Sequence, residues 1–180
     1  MKKLLSILLL SVVLIGCSEE RVLMDDLTDK GTEESPRMYS ESGLFNGVGF
    51  DVYSNGQLKE EAKYKDGKKD GLYIAWNEDG QLEYEGNWKG GEADGLHKGW
   101  YENGQLQVEG KYKDGKQNGL TKVWYENGQL EDEVNYKDGK LDGLWKQWYE
   151  DGQLKFETNY KDGEIDGLEK QWDEEGNRIE

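Results

Sequence analysis

The chain has 180 residues, 39 acidic against 23 basic, for a net charge of −16 and a mean hydropathy of −1.02. So negative a surface excludes nucleic acid as a partner, because phosphates would meet like charge. One Cys and one His exclude a disulfide framework and a classical zinc site. Low hydrophobicity with high charge is the signature of disorder, yet 25 glycines against one proline, with 7 Trp and 11 Tyr, are foreign to a disordered acidic tail.

Residues 1–16 read as a targeting segment. Met1-Lys2-Lys3 is a basic start, and Leu4 to Ile15 is an apolar run. As a helix the run would reach only about 18 Å, short of a roughly 30 Å hydrocarbon core, so it is a secretory signal and not a transmembrane span. It ends in Leu14-Ile15-Gly16-Cys17, which resembles the lipobox of bacterial lipoproteins. That resemblance implies cleavage before Cys17, lipidation of Cys17 and a cell-envelope location on a membrane, the outer one by the sorting rules that Ser18 fits. A two- or three-chain lipid anchor binds stably where one chain is marginal. Residues 17–38 follow as an acidic flexible tether. They are mostly polar, hold the only proline (Pro36) and show no sustained helix or strand period. Extended, such a tether reaches about 70 Å and would keep an acidic body away from lipid.

From residue 39 to 180 the sequence is an array with a 24-residue period. Gly-Gln-Leu recurs at Gly56, Gly80, Gly104, Gly128 and Gly152, and Trp at Trp76, Trp100, Trp124, Trp148 and Trp172. Tyr64, Trp88, Tyr112, Tyr136 and Tyr160 fall in the same step, as do Glu61, Glu85, Glu109, Glu133 and Glu157. Such a period signals a repeat architecture. Two turn signals divide each unit: Asn-Gly, as at Asn103-Gly104 and Asn127-Gly128, and Asp-Gly, as at Asp114-Gly115 and Asp138-Gly139. Both suit type I′ hairpins, with two positive-φ residues each. Short Trp-, Tyr- and Leu-rich segments between such turns are strands, and helices would lose too much to the repeated glycines. The expected fold is all-β: an elongated single-layer antiparallel meander of 24-residue β-hairpins, about 50 Å long at strand spacing.

Two registers are open at the Asn-Gly turn. A two-residue loop sets Tyr125 opposite Leu130, Trp124 opposite Glu131 and Lys122 opposite Glu133, and likewise pairs Lys98 with Glu109 and Lys146 with Glu157. A Glu-Asn-Gly loop with a glycine bulge instead sets Trp124 opposite Leu130. The three Lys–Glu pairs favour the first.

The N-G-Q-L turns (Asn103 to Leu106, Asn127 to Leu130) and the Y-K-D-G-K corners (Tyr112 to Lys116, Tyr136 to Lys140), with the D-G-L or N-G-L elements (Asp142 to Leu144, Asn118 to Leu120), resemble the MORN-repeat variant family. The resemblance covers residues 39–180 and departs at the ends, where Val52 stands in place of Trp and Asn177 follows Gly176. It implies a β-hairpin repeat array used for binding; some relatives are YwqK-type antitoxins, and others flank lipid-kinase domains. No kinase elements exist in this sequence, and a lipobox conflicts with a cytosolic antitoxin, which leaves neutralisation of an incoming toxin as one alternative.

No residue singles itself out as catalytic. The repeated glutamates are copies in a surface row and read as partners for lysine, so no enzyme activity and no cofactor are expected. Lys137-Asp138-Gly139-Lys140 lacks the alternating carboxylates of a calcium loop, and no metal is expected. His97 reads as a solvated strand residue. The candidate interaction surface is the aromatic ladder: Tyr101, Tyr125 and Tyr149, whose strand parity opposes that of the neighbouring Trp row, and Trp145, which breaks a position held elsewhere by Tyr73 and Thr121. The expected function is a lipid-anchored, non-catalytic protein-interaction scaffold, with an envelope glycan or polymer as the alternative partner.

Overall fold

The computed structural model describes residues 19–30 and 38–179. The signal segment and Cys17 lie outside the described residues. Four short strands come first: β1 (Arg21–Leu23), β2 (Thr28–Asp29), β3 (Met38–Ser40) and β4 (Gly43–Leu44), with one 3-10 turn at Met24–Asp26. The array then runs through β5 (Gly47–Val52), β6 (Leu58–Lys65), β7 (Lys68–Trp76), β8 (Leu82–Lys89) and β9 (Glu92–Trp100). It continues as β10 (Leu106–Lys113), β11 (Lys116–Trp124), β12 (Leu130–Lys137), β13 (Lys140–Trp148) and β14 (Leu154–Lys161). Two stubs, β15 (Glu164–Ile165) and β16 (Lys170–Gln171), close it.

These strands form one 13-stranded sheet in sequence order from β5 to β15, with β1 added at the first edge and β16 pairing β14; β2, β3 and β4 make a separate small sheet. Successive array strands are antiparallel, and each makes its substantial contacts only with the strands before and after it. The all-β meander expected from the period is the fold observed. Such an array needs little interior, since each repeat packs on its neighbours.

The two corners use different turn chemistry. At the Asp-Gly corner both residues have positive φ, as at Asp114 (48°) and Gly115 (76°), with Lys113 opposite Lys116; this is the expected two-residue I′ hairpin. At the Asn-Gly corner only the glycine does, Gly128 at 84°. Gly128 N–H donates to Tyr125 C=O at 2.9 Å, and Tyr125 N–H to Gln129 C=O at 2.9 Å. That is a three-residue Glu-Asn-Gly loop with a glycine bulge, so the favoured two-residue register is corrected: Trp124 faces Leu130, not Glu131. The Lys122–Glu133 register survives because a bulge in β12 places Asp132 opposite Val123 and Leu130 opposite Trp124, leaving Glu131 over. Asn127 supplies a side chain and not a positive φ: its carbonyl oxygen accepts from Gln129 N–H at 2.8 Å.

Residues 19–30 correct the expectation of a flexible tether. β1 runs parallel along β5, Arg21 opposite Val48 and Leu23 opposite Phe50. Leu27 is buried with Phe45, Ala62 and Tyr64, and Val22, Met24 and Met38 pack against them. The cause is a glycine pair: a Cβ on Gly47 would collide with the Glu20 carbonyl, and Gly49 lies within 3.5 Å of Leu27 and Met24 at its Cβ position. Few apolar residues in the leading segment are enough, because β5 presents bare backbone to them.

Candidate interaction surface

The register assigns every array residue to one of two faces. On the first, a continuous cross-strand row runs Ala62, Tyr73, Gly86, His97, Gly110, Thr121, Val134, Trp145 and Thr158, each directly opposite the next. Large and small residues alternate, so each bulky side chain lies over small neighbours. Tyr84 and Trp88 flank His97, and Phe156 and Tyr160 flank Trp145, with ring centroids 5.3–5.9 Å apart, the usual range for tilted aromatic pairs. The opposite face carries the Lys–Glu row, with Nζ to carboxylate distances of 3.5 Å at Lys98–Glu109, 3.2 Å at Lys122–Glu133 and 3.3 Å at Lys146–Glu157. Lys170 joins Glu157 at 2.8 Å, and hydrogen bonds from these two lysines, Lys170 first, hold Glu157 below the ordinary carboxylate range. Such half-exposed pairs each contribute a few tenths of a kcal/mol. In the first repeat Phe50 and Ile74 oppose Glu61, and Arg21 of β1 supplies the missing cation.

The aromatic residues expected to form one surface fall into two places. Tyr101, Tyr125 and Tyr149 sit at the Asn-Gly ends, and their hydroxyls donate to the carbonyls of Trp124, Trp148 and Trp172 at 2.7–2.9 Å. Asn103 and Asn127 reach the next loop in the same way, to Glu126 and Glu150 C=O at 2.9 Å. These groups stack successive loops; their polar ends are spent inside the array. Trp145 lies in the central row, half-buried, with its indole N–H donating to Asp132 at 2.7 Å. The sequence gives no hint of this geometry, because the i to i+23 reach depends on how loops superpose.

His97 is not solvated. Only 6% of it is exposed, its Nδ1 accepts from the Tyr84 hydroxyl, and its Nε2–H donates to Asn87 C=O at 2.8 Å. Burial pushes its pKa below the ordinary histidine value, against the Asn87 hydrogen bond, which raises it. The signal in the sequence was the pair Gly86 and Gly110, which leaves room over both neighbouring strands for an imidazole.

What the faces have in common is that little covers them. Buried hydrophobic residues cluster at the first repeat (Leu27, Phe45, Ala62, Tyr64), with Val134 the one further along among the described residues. The rings of Tyr84, Trp88, Tyr112, Tyr136, Trp145 and Phe156 are half-buried, and Leu72 and Leu144 on the opposite face are 41% and 38% exposed. Among the described residues no cluster of three metal-ligating side chains occurs, and no helix is long and apolar enough to cross a membrane.

The sequence pattern of the MORN repeat variant matches residues 45–66, 69–89, 93–114, 117–138 and 141–162, together more than half of the chain. The chain belongs to the MORN repeat variant family. Each matched segment is one hairpin closed by a three-residue loop: β5–β6, β7–β8, β9–β10, β11–β12 and β13–β14. The Asp-Gly corners lie between or at the ends of the MORN segments, and they too are stacked: Gly115 N–H donates to Ala93 C=O and Gly139 N–H to Gln117 C=O, both at 2.9 Å. A search of characterised proteins found no match.

Proposed function

We propose that this MORN array is a non-catalytic scaffold that binds a partner protein across its aromatic face while a lipid on Cys17 holds it at a membrane of the cell envelope. The observation that supports the reading is the half-buried aromatic row from Tyr112 to Phe156, which has no second layer over it among the described residues. A contiguous apolar strip of this kind on an otherwise charged protein is a partner's landing site. With a net charge of −16 around it, the fitting partner has a basic rim. Repetition argues against catalysis, because the glutamates of the array are copies paired with lysines in a surface row, where an active site uses singular groups.

The docked leading segment changes the geometry of such an anchor. Glu19 is ion-paired with Lys63, and Glu20 C=O accepts from Val48 N–H at 2.7 Å. Between a lipidated Cys17 and Glu19 there is one residue, so the first repeat would sit within about 7 Å of the anchoring point. The array would then project from the membrane by its first edge, instead of floating on a long leash.

A photo-reactive residue at Trp145, compared with one at Leu144 on the opposite face, tests the scaffold reading in intact cells. Adducts from position 145 and not from 144 are the expected result, and adducts from neither would overturn it. Cys17→Ser should move the protein from the membrane to the soluble fraction; unchanged sedimentation would remove the anchor.

A further inference from the structure

Within the array one row of positions holds Lys69, Ala93, Gln117, Leu141 and Ile165 in successive repeats. Lys69 is the charged member, and it does not point to water. Its ammonium lies 4.0 Å from the Tyr73 ring centroid and 5.3 Å from that of Trp88. No ion pair joins it to a carboxylate among the described residues. The nearby Glu60 is engaged otherwise, accepting the Tyr73 hydroxyl at 2.7 Å. Burial lowers the Lys69 pKa, opposed in part by Glu60.

The cavity in front of Lys69 has a volume of about 340 Å³ and lies where the leading segment meets the first repeats. Met38, Tyr64 and Trp88 give it apolar walls, Gly67 closes one side by packing against the Met38 backbone, and Asp29, which has an interaction of its own, also lines it. Burial holds the Tyr64 hydroxyl at a pKa of about 12, so that wall stays uncharged. Trp88 adds an aromatic wall, and its indole N–H is buried away from the open space. A desolvated ammonium without a carboxylate partner therefore faces one small, mostly apolar cavity, and an acceptor bearing negative charge satisfies it.

We propose that this cavity binds a small carboxylate with an apolar body, its oxygens held by Lys69 Nζ and its body set against Met38, Tyr64 and the Trp88 ring. The volume sits at the lower end of ligand sites, roughly 300–1,000 Å³, and suits a single ring. A phosphate is the poorer fit, since the apolar walls offer nothing to replace its hydration. The inference is independent of the scaffold reading, for it uses neither the aromatic strip beyond Trp88 nor the anchor.

The test is a titration of the whole protein with phenylacetate, followed by the indole N–H resonances, with Trp88 assigned through Trp88→Phe. Phenylacetate should shift the Trp88 resonance saturably, with a Kd of about 1 mM as ordinary ligand efficiency gives for ten heavy atoms. The neutral 2-phenylethanol and the cationic phenethylamine should bind at least tenfold more weakly. Lys69→Gln should lose the preference for the carboxylate, and Lys69→Arg should keep it. Equal binding of the acid and the alcohol, or an unshifted Trp88 resonance at saturating acid, overturns the proposal. Should Lys69→Gln fail to fold, the ligand series on the parent protein and on Lys69→Arg still decides the matter.

Discussion

Gly86 faces His97 on one side and Tyr73 on the other, and a methyl group there has nowhere to go. A Cβ built on Gly86 would lie 2.5 Å from His97 Nδ1 and 2.9 Å from the Tyr84 hydroxyl, the two atoms that share a hydrogen bond. Gly86→Ala must therefore displace the imidazole, breaking that bond and the packing of His97 on Tyr112, where the ring centroids are 4.6 Å apart. Overpacking costs about 1–3 kcal/mol, and loss of the buried hydrogen bond about 1 kcal/mol more. Replacing a strand glycine by alanine returns about 0.5–1 kcal/mol. The net expectation is a loss of about 2 kcal/mol, a drop of about 4–8 °C in Tm for a chain of this size, measured by urea and thermal unfolding. Ala beside Thr approximates the Thr121–Val134 pairing that β11 and β12 make in this same row, so His97→Thr should suppress the penalty. The double-mutant cycle should show a coupling of about 1 kcal/mol or more. A Gly86→Ala protein as stable as the parent, or additive effects in the double variant, would refute the alternation of large and small residues as the packing rule.

Buried Thr121 and Thr158 hydroxyls have no hydrogen-bond partner, so Thr121→Val should stabilise the array by about 1 kcal/mol in urea melts. Tyr125→Phe removes the donor to Trp148 C=O and should cost about 1 kcal/mol, with Tyr101→Phe and Tyr149→Phe close to the same value if the loops stack identically. Because His97 titrates below the ordinary histidine value when folded, the unfolded chain takes up the proton first. Stability should therefore be at its full value above about pH 6.5 and fall as the pH drops through that value towards the folded pKa. Replacing His97 by Thr should flatten that part of the pH–stability curve. At the Asn-Gly loop, Gly128→Ala should cost about 1–2 kcal/mol for placing a side chain at a φ of 84°. Asn127→Ala should lose only its side-chain bonds to Gln129 N–H and Glu150 C=O; equal penalties for the two would argue against a loop with a single positive-φ residue.

By itself the sequence determined the class of fold, the number and order of the hairpins, the I′ geometry at Asp-Gly and the Lys–Glu pairs. All of these follow from a fixed period and from turn residues acting on near neighbours. It could not determine the Asn-Gly register, because a two-residue loop and a bulged three-residue loop both accommodate the Lys122–Glu133 pair and differ in whether Tyr125 or Trp124 lies opposite Leu130. Nor could it show that His97 is buried, since a lone histidine reads as polar until the glycines on both adjacent strands are brought beside it. The same holds for the leading segment: Val22, Met24 and Leu27 are too few to signal structure in a polar stretch, and they gain it from Gly47 and Gly49, over twenty residues on. Lys69 and Trp88 are distant in the chain and ordinary within their repeats; tertiary structure alone sets the ammonium and the indole ring on one cavity. Local periodicity specifies strands and turns, whereas which buried groups lack partners is a property of strands laid side by side.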